Sequence, residues 1–236
     1  MIDLLNASVP KLSELLKPEL LATLQGLAQV IQYHEGQLVH QRGDPKPGLS
    51  IVKAGRLVAG NIGMDGSILT TSVLGTGDCF GEFTLFVGLP RTHDIYSHGA
   101  SEVYQVPRSR FMALFAQEPQ LAEALLAIAL YRNHSLLEYM DNLRRQPLLY
   151  RTAQLLLSNA KRHPETNVIE CLQDQLAFTL GVSRVSIGKV LNKLQADELI
   201  QLGYRKIIVN DLERLEAWVA DRNLLMPLTA SGVGSE

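Results

Sequence analysis

The sequence predicts an α+β chain: an antiparallel, jelly-roll-like β-roll, then one long helix, then a small helical unit closed by a β-hairpin. Three observations predict it. Between Gly36 and Gly99 lie 12 of the 18 glycines, and they separate short β-rich runs. From Arg110 to Leu180 there is no glycine, and apolar residues recur at helical spacing. Finally, "CLQDQLAFTLGVSRVSIGKVLNKLQADELI" carries a helical pattern that breaks at "LGVS" and then resumes.

Taken in order, residues 9–30 read as helical, with Pro10 and Pro18 each suited to a helix start. Residues 30–107 contain the runs "LSIVKAG", "RLVAGNI", "SILTTSVL" and "EVYQV" with turn signals such as "GMDGS" between them. That texture predicts an eight-strand-like β-roll. A short helix follows, then a long one over 119–145. On it Leu126, Leu130, Asn133, Leu137 and Met140 alternate four and three apart, the spacing of a coiled-coil seam with one polar member to fix register. The stripe either packs on the chain's own roll or joins two copies, and a helix of this length leaving a β domain favours the dimer spine. Pro147 ends it. "PLLYRTAQLLLSNAKRH" is amphipathic, "IQLGYRKIIVND" makes a hairpin, and "LTASGVGSE" is a frayed tail. The expected domains are 1–118, the β-roll domain; 119–146, a dimerisation helix; 147–220, the small helical domain with its hairpin; and 221–236, the tail.

Composition narrows the class. Hydrophobic residues make up 46% and charged residues 19%, which is globular rather than disordered. No apolar run approaches the ~20 residues of a membrane span, and the N-terminus carries Asp3 but no basic stretch, unlike a secretory signal. Cys79 and Cys171 lie far apart, which suits a reducing, cytoplasmic setting and gives too few thiols for a four-cysteine cluster. The net charge is -2, so any nucleic-acid contact must come from a local basic face.

Such a face is predicted at the helix–turn–helix. Leu176, Ala177 and Leu180 belong to its first helix, Gly181 supplies the turn, and Val182 plugs between the helices. Ser183 caps the second helix. Val185, Ser186 and Lys189 then face outward near its start, while Ile187, Val190, Leu191 and Leu194 face inward. A helix so placed lays its first turns in the major groove. Arg184, Lys189, Lys193, Arg205 and Lys206 are candidates for phosphate contacts, and Gly203 gives the turn of a β-wing. The competing reading is a packing module with exposed lysines, but helix, turn, second helix and wing is the order groove docking needs.

A second constellation is "GEFTLFVGLPRTHD", where Glu82 follows Gly81 and Arg91 follows nine residues later. A guanidinium fork suits phosphate oxygens, and backbone N–H groups at a helix start add to it. With the helix–turn–helix, this stretch resembles the CRP/FNR family of bacterial transcription regulators, over about residues 10–220. "GDCFGEFTLFVGLPRTHD" is similar to the phosphate-binding cassette of cyclic-nucleotide-binding domains, and "LGVSRVSIGKVLNKLQADELIQLGYRKIIV" to the family's winged helix–turn–helix. The resemblance implies a homodimeric DNA-binding regulator, not an enzyme. Its effector, cyclic AMP, cyclic GMP or another small molecule, would be held by Gly81, Glu82, Arg91 and Thr92. It also implies a palindromic operator and RNA polymerase as a partner.

The departures are specific. His93 stands where cyclic-nucleotide binders keep a small residue, and Leu136 and Leu137 occupy the positions whose hydroxyls touch adenine in the cyclic-AMP receptor. Val185 replaces a base-reading glutamate and Lys189 an arginine. A valine can meet a thymine methyl but accepts nothing from cytosine. Glu82 and Arg91 could alternatively form a structural ion pair in an empty roll. Effector-independent regulation, or haem through His93 or His134, stays open as a family-level alternative. A cupin-like enzyme is the alternative of a different class. His34, His40, His93 and His98 lie on the roll, but no HxH pair occurs, so no metal is expected and surface histidines are the simpler reading. No GxSxG, HExxH or GxxxxGK[ST] is present.

Overall fold

The computed structural model describes residues 3, 6, 9–62, 68–162 and 166–223. The "GMDGS" turn and the "LTASGVGSE" tail fall outside the described residues. The chain forms two compact units, Met1–Leu136 and Leu137–Glu236.

The first unit opens with α1 (Leu12–Leu15) and α2 (Pro18–Gly26). Pro18 is the first helical residue of α2, where its missing N–H costs nothing, whereas Pro10 stands before the cap of α1 rather than inside it. The roll consists of β1 (Gln29–Tyr33), β2 (Leu38–His40), β3 (Gly48–Ile62), β4 (Ile68–Gly75), β5 (Cys79–Phe80) and β6 (Asp94–Pro107). All pairings are antiparallel: β6 lies between β1 and β3, β4 flanks β3, β2 pairs with β6 and β5 with β3.

The eight expected strands are therefore six among the described residues. "LSIVKAG" and "RLVAGNI" are one strand, bent rather than broken, and "EVYQV" is the end of the long β6. The bend sits at Gly55, at φ +83°, with register shifts around Ala54. A Cβ at Gly55 would lie 2.5 Å from the Ala100 carbonyl oxygen, so only glycine lets the two strands close there. The roll interior is filled by residues including Tyr33, Val52, Leu57, Leu74, Phe80 and Val103.

Between β5 and β6 lies α3 (Glu82–Phe86); after β6 come α4 (Arg108–Phe115) and α5 (Pro119–Arg145). Leu121, Leu125 and Ile128 on α5 pack with Leu12, Leu49, Ile51, Leu85 and Phe111 in a second core at the end of the roll. The seam residues of α5 are on other faces: Leu126, Leu130, Leu137 and Met140 are 44–60% exposed, and Asn133 is exposed with them. The stripe does not pack on the chain's own roll.

The second unit contains α6 (Leu148–Lys161), β7 (Val168–Glu170), α7 (Gln173–Thr179), α8 (Arg184–Ala196), β8 (Ile200–Gly203), β9 (Lys206–Val209) and α9 (Leu212–Asp221). The expected hairpin is a three-stranded sheet in the order β7-β9-β8. Helix α9, not foreseen, is capped by Asp211, whose side chain accepts from the Arg214 N–H, and it buries Leu215 and Val219.

Candidate anion cassette and nucleic-acid interface

Strand β5 delivers the chain to Gly81, whose φ of +109° belongs to glycine. A Cβ there would stand 2.4 Å from the Gly48 carbonyl oxygen and 3.4 Å from Arg91 Nη1. The absent side chain thus lets the backbone pass between β3 and the guanidinium of Arg91. Arg91 is pinned through its own backbone: its N–H donates to the Asp44 carbonyl at 3.2 Å, and its carbonyl accepts from the Gly43 N–H at 2.9 Å.

The Arg91 side chain is the unusual feature of the cassette. It is only 8% exposed. Its Nη2 donates to the Lys46 carbonyl at a long 3.3 Å, and its Nε has no partner. Among the described residues no carboxylate lies within ion-pairing distance of it. Burial pulls its pKa down, and the charges of Asp44 and Glu82 oppose that only in part. A buried charge with an idle donor is complementary to an anion.

Glu82 is not Arg91's counter-ion. Its Oε1 accepts from Arg132 Nη1 at 2.6 Å, while Arg132 Nη2 donates to the Cys79 carbonyl at 2.7 Å and Nε to Asn6 Oδ1 at 3.4 Å. The alternative of a Glu82–Arg91 ion pair is thereby overturned. Burial, the largest influence, works against the charge on Arg132, but Glu82, Cys79 and Asp78 together outweigh it and the guanidinium's pKa is raised. Burial, with Glu82 next, pushes the Cys79 thiol well up, so it stays protonated and inert. Sequence reasoning missed Arg132, although its signal was present. It continues the buried stripe Leu121, Leu125, Ile128 at a spacing of four, three and four, where an arginine must have a partner.

Thr92 is exposed and its hydroxyl lies 2.8 Å from His93 Nδ1. Burial, then the Arg42 charge, lowers the pKa of His93 against the opposing pull of Asp94. Leu136 and Leu137 are exposed, and the α5 side chain that reaches the cassette is Arg132. His40 corrects the reading of the histidines as surface groups. It is buried, its Nε2 lies 3.0 Å from Ser50 Oγ, and its ring meets Phe80 edge-on. Burial first and the Arg91 charge second lower its pKa to about 4. Among the described residues no group of three His, Cys, Asp or Glu side chains is placed to hold a metal.

In the second unit, Gly181 turns the chain at φ +68° and the Val182 N–H donates to the Ala177 carbonyl at 2.9 Å. Ser183 Oγ accepts from the Ser186 N–H at 3.2 Å, capping α8 as its sequence predicts. Ile187, Leu191 and Leu194 are fully buried and Val190 half-buried, which turns Val185, 69% exposed, and Lys189 outward. The predicted cations then divide. Lys193 is tied to Asp197 at 2.8 Å and Arg184 to Asp174 at 3.4 Å. Lys189, Arg205 and Lys206 have no carboxylate partner among the described residues. The wing turn is Tyr204–Arg205, with Arg205 at φ +56°. Gly203 ends β8 instead of forming the turn, and its bare Cα makes room for the Lys206 stem, 3.0 Å from where a Cβ would stand.

Two family models match the chain: "Cyclic nucleotide-binding domain" over residues 30–118 and "Crp-like helix-turn-helix domain" over residues 150–218. The chain belongs to the CRP/FNR family of transcription regulators. Among relatives it is 25% identical, over 84% of this chain and 92% of that protein, to the CRP-like cAMP-activated global transcriptional regulator of Mycobacterium tuberculosis. It is 27% identical to the cAMP-activated global transcriptional regulator CRP of Escherichia coli, over 82% and 96%. Its fold matches a CRP/FNR-family transcriptional regulator of Thermus thermophilus at a TM-score of 0.67 and 22% identity, covering 83% and 100% of the two chains. FixK2 of Bradyrhizobium japonicum matches at 0.66 and 20%, covering 80% and 96%. For a CRP/FNR regulator, the roll is the effector-type domain and the helix–turn–helix the DNA-binding one. No helix of the described residues is long and apolar enough to cross a membrane.

Proposed function

We propose that this CRP/FNR regulator binds a palindromic operator as a homodimer, in the cytoplasm, with its affinity set by a small anionic effector held at Arg91. The observation that carries the effector reading is the buried guanidinium whose Nε has no partner. Gly81 and the start of α3 complete the cradle. Glu82 Oε1 is committed to Arg132, but Oε2 remains open to a hydroxyl donor such as a ribose. Leu136 and Leu137 offer packing without hydrogen bonds, so recognition ends at phosphate and sugar and the two purine bases are poorly discriminated. For the dimer, the support is the exposed Leu126, Leu130, Asn133, Leu137 and Met140 stripe. For the DNA contact, it is the first turn of α8, with Ser183, Arg184, Val185, Ser186 and Lys189, together with Lys193 and the wing cations Arg205 and Lys206. RNA polymerase at the promoter is the further partner that this reading expects.

Titration calorimetry with cyclic AMP and cyclic GMP tests the effector reading. Binding of both within about tenfold of each other, lost in Arg91→Met, is the expected result. Absence of binding by either, or a strong preference for one base, contradicts it.

A further inference from the structure

We infer that the N-terminus joins the effector site through Asn6, a positioning residue that holds Arg132, and through it Glu82, in place for a ligand hydroxyl. The inference rests on the effector reading proposed above and adds a residue far outside the cassette. Arg132 is gripped from three segments. Its Nη1 donates to Glu82 Oε1 at 2.6 Å, its Nη2 to the Cys79 carbonyl at 2.7 Å, and its Nε to Asn6 Oδ1 at 3.4 Å. A guanidinium is planar, so acceptors at its two Nη atoms leave it free to tilt about the line that joins them. The third acceptor, at Nε, removes that freedom. Its bond is the longest of the three and the first to give, so the tilt depends on how firmly Asn6 itself is held.

Asn6 is held firmly. Its N–H donates to Asp3 Oδ1 at 2.9 Å, and its carbonyl accepts from the Val9 N–H at 3.2 Å. Val9 packs in the core that also takes Leu12, Leu121 and Ile128, which moors Asn6 to the face of α5 that ends in Arg132. Asn6 and Asp3 are each only 2% exposed, and the Asn6 amide Nδ2 has no partner. Burying an amide with an unused donor costs free energy that a leucine of similar volume would avoid. The contact of its oxygen with Arg132 is what sets asparagine apart from leucine there. The consequence reaches the ligand. With Oε1 committed to a fixed Arg132, the Glu82 carboxylate cannot rotate, and Oε2 keeps one orientation available to a hydroxyl donor. If Arg132 tilts, that orientation is lost. Arg91 is unaffected, because its backbone bonds to Asp44 and Gly43 hold it separately. Asn6 therefore tunes recognition of the sugar and leaves recognition of the phosphate alone.

The test compares the Kd of the full-length protein for cyclic AMP and for 2′-deoxy cyclic AMP, whose ratio isolates the sugar hydroxyl. Wild type is expected to prefer cyclic AMP by roughly ten- to a hundredfold, the range of one hydrogen bond to a charged group. Asn6→Leu keeps the volume and removes both polar atoms. It should bring the ratio to within about threefold of unity while 2′-deoxy cyclic AMP binds as it does to wild type. Asn6→Asp returns an acceptor to the same place and should keep the wild-type ratio. A merely structural role would instead weaken both nucleotides together. If Asn6→Leu keeps the wild-type ratio or weakens both nucleotides equally, or if Asn6→Asp loses the ratio, the inference is overturned while the cassette stands. A wild type that binds the two nucleotides alike overturns it as well. If wild type binds neither, the effector reading falls with it.

Discussion

Arg91 holds a positive charge 8% exposed with one donor idle, a state that costs free energy while no anion neutralises it. Replacing it with a residue of similar volume that carries no charge should therefore leave the ligand-free protein as stable or up to about 2 kcal/mol more stable. In thermal unfolding, Arg91→Met is expected to match or exceed wild type without nucleotide and to gain nothing when cyclic AMP is added. A large loss of stability in ligand-free Arg91→Met would mean that the guanidinium is structural. Gly81 is the opposite case. Gly81→Ala forces a Cβ to within 2.4 Å of the Gly48 carbonyl oxygen at a φ that disfavours it, and should cost at least about 2 kcal/mol in denaturant unfolding. His40 predicts a pH effect. Its pKa of about 4 in the folded state lies below the ordinary 6.5, so the unfolded chain binds the extra proton first. Its stabilising contribution is full above about pH 6.5 and is lost as the pH falls from there toward 4, by up to about 3 kcal/mol. Arg91, Asp44 and Lys46 are the charged groups that act on it. His40→Gln should flatten the slope of unfolding free energy between pH 6.5 and 4.5, and an unchanged slope would assign it elsewhere.

At the scale of elements, α5 has three distinct faces, and each has different work. One buries Leu121, Leu125 and Ile128 and ends in Arg132; a second exposes the Leu/Asn/Met stripe. In the second unit a polar stripe joins it to three other segments. Tyr139 donates to the Thr179 carbonyl at 3.3 Å, Asn142 to Gln154 Oε1 at 2.8 Å, and Gln146 to Asn223 Oδ1 at 2.8 Å. Asn142 and Gln146 are buried, so Asn142→Ala should destabilise the second unit by about 1–3 kcal/mol, measured as an earlier calorimetric transition for that unit. The exposed stripe, the cap at Ser183 and the turn at Gly181 were legible in sequence because local chemistry dictates them. The merged strands were not, since the Gly55 kink resembles a turn until the partner strand is in place. Strand β7 is three residues long and exists only through its pairing with β9. Helix α9 was not foreseen, although Asp211 and the Leu212, Leu215, Val219 spacing carried its signal. Arg132 was legible too, but its partner Glu82 lies fifty residues away and no local rule connects them.

For the whole molecule, the proposed function requires two copies to present two α8 helices to one duplex. Leu130→Glu with Leu137→Glu places charge in the seam and should yield monomers at micromolar concentration in sedimentation, with operator affinity reduced at least tenfold. A wild type that sediments as a monomer would remove the basis for a palindromic site. Electrostatics act at this scale as well. The chain carries a net charge of -2, so attraction to DNA is local, and affinity should fall steeply with salt through Lys189, Arg205 and Lys206. Val185 and Lys189 at the start of α8 are proposed to read the half-site, and operator selection with purified wild type and Val185→Glu is the decisive measurement. Wild type should select a two-fold symmetric site with half-sites about one helical turn apart, and the variant should change the bases at one symmetric position pair. A selection that returns no palindrome, or the same sequence for both proteins, would contradict it.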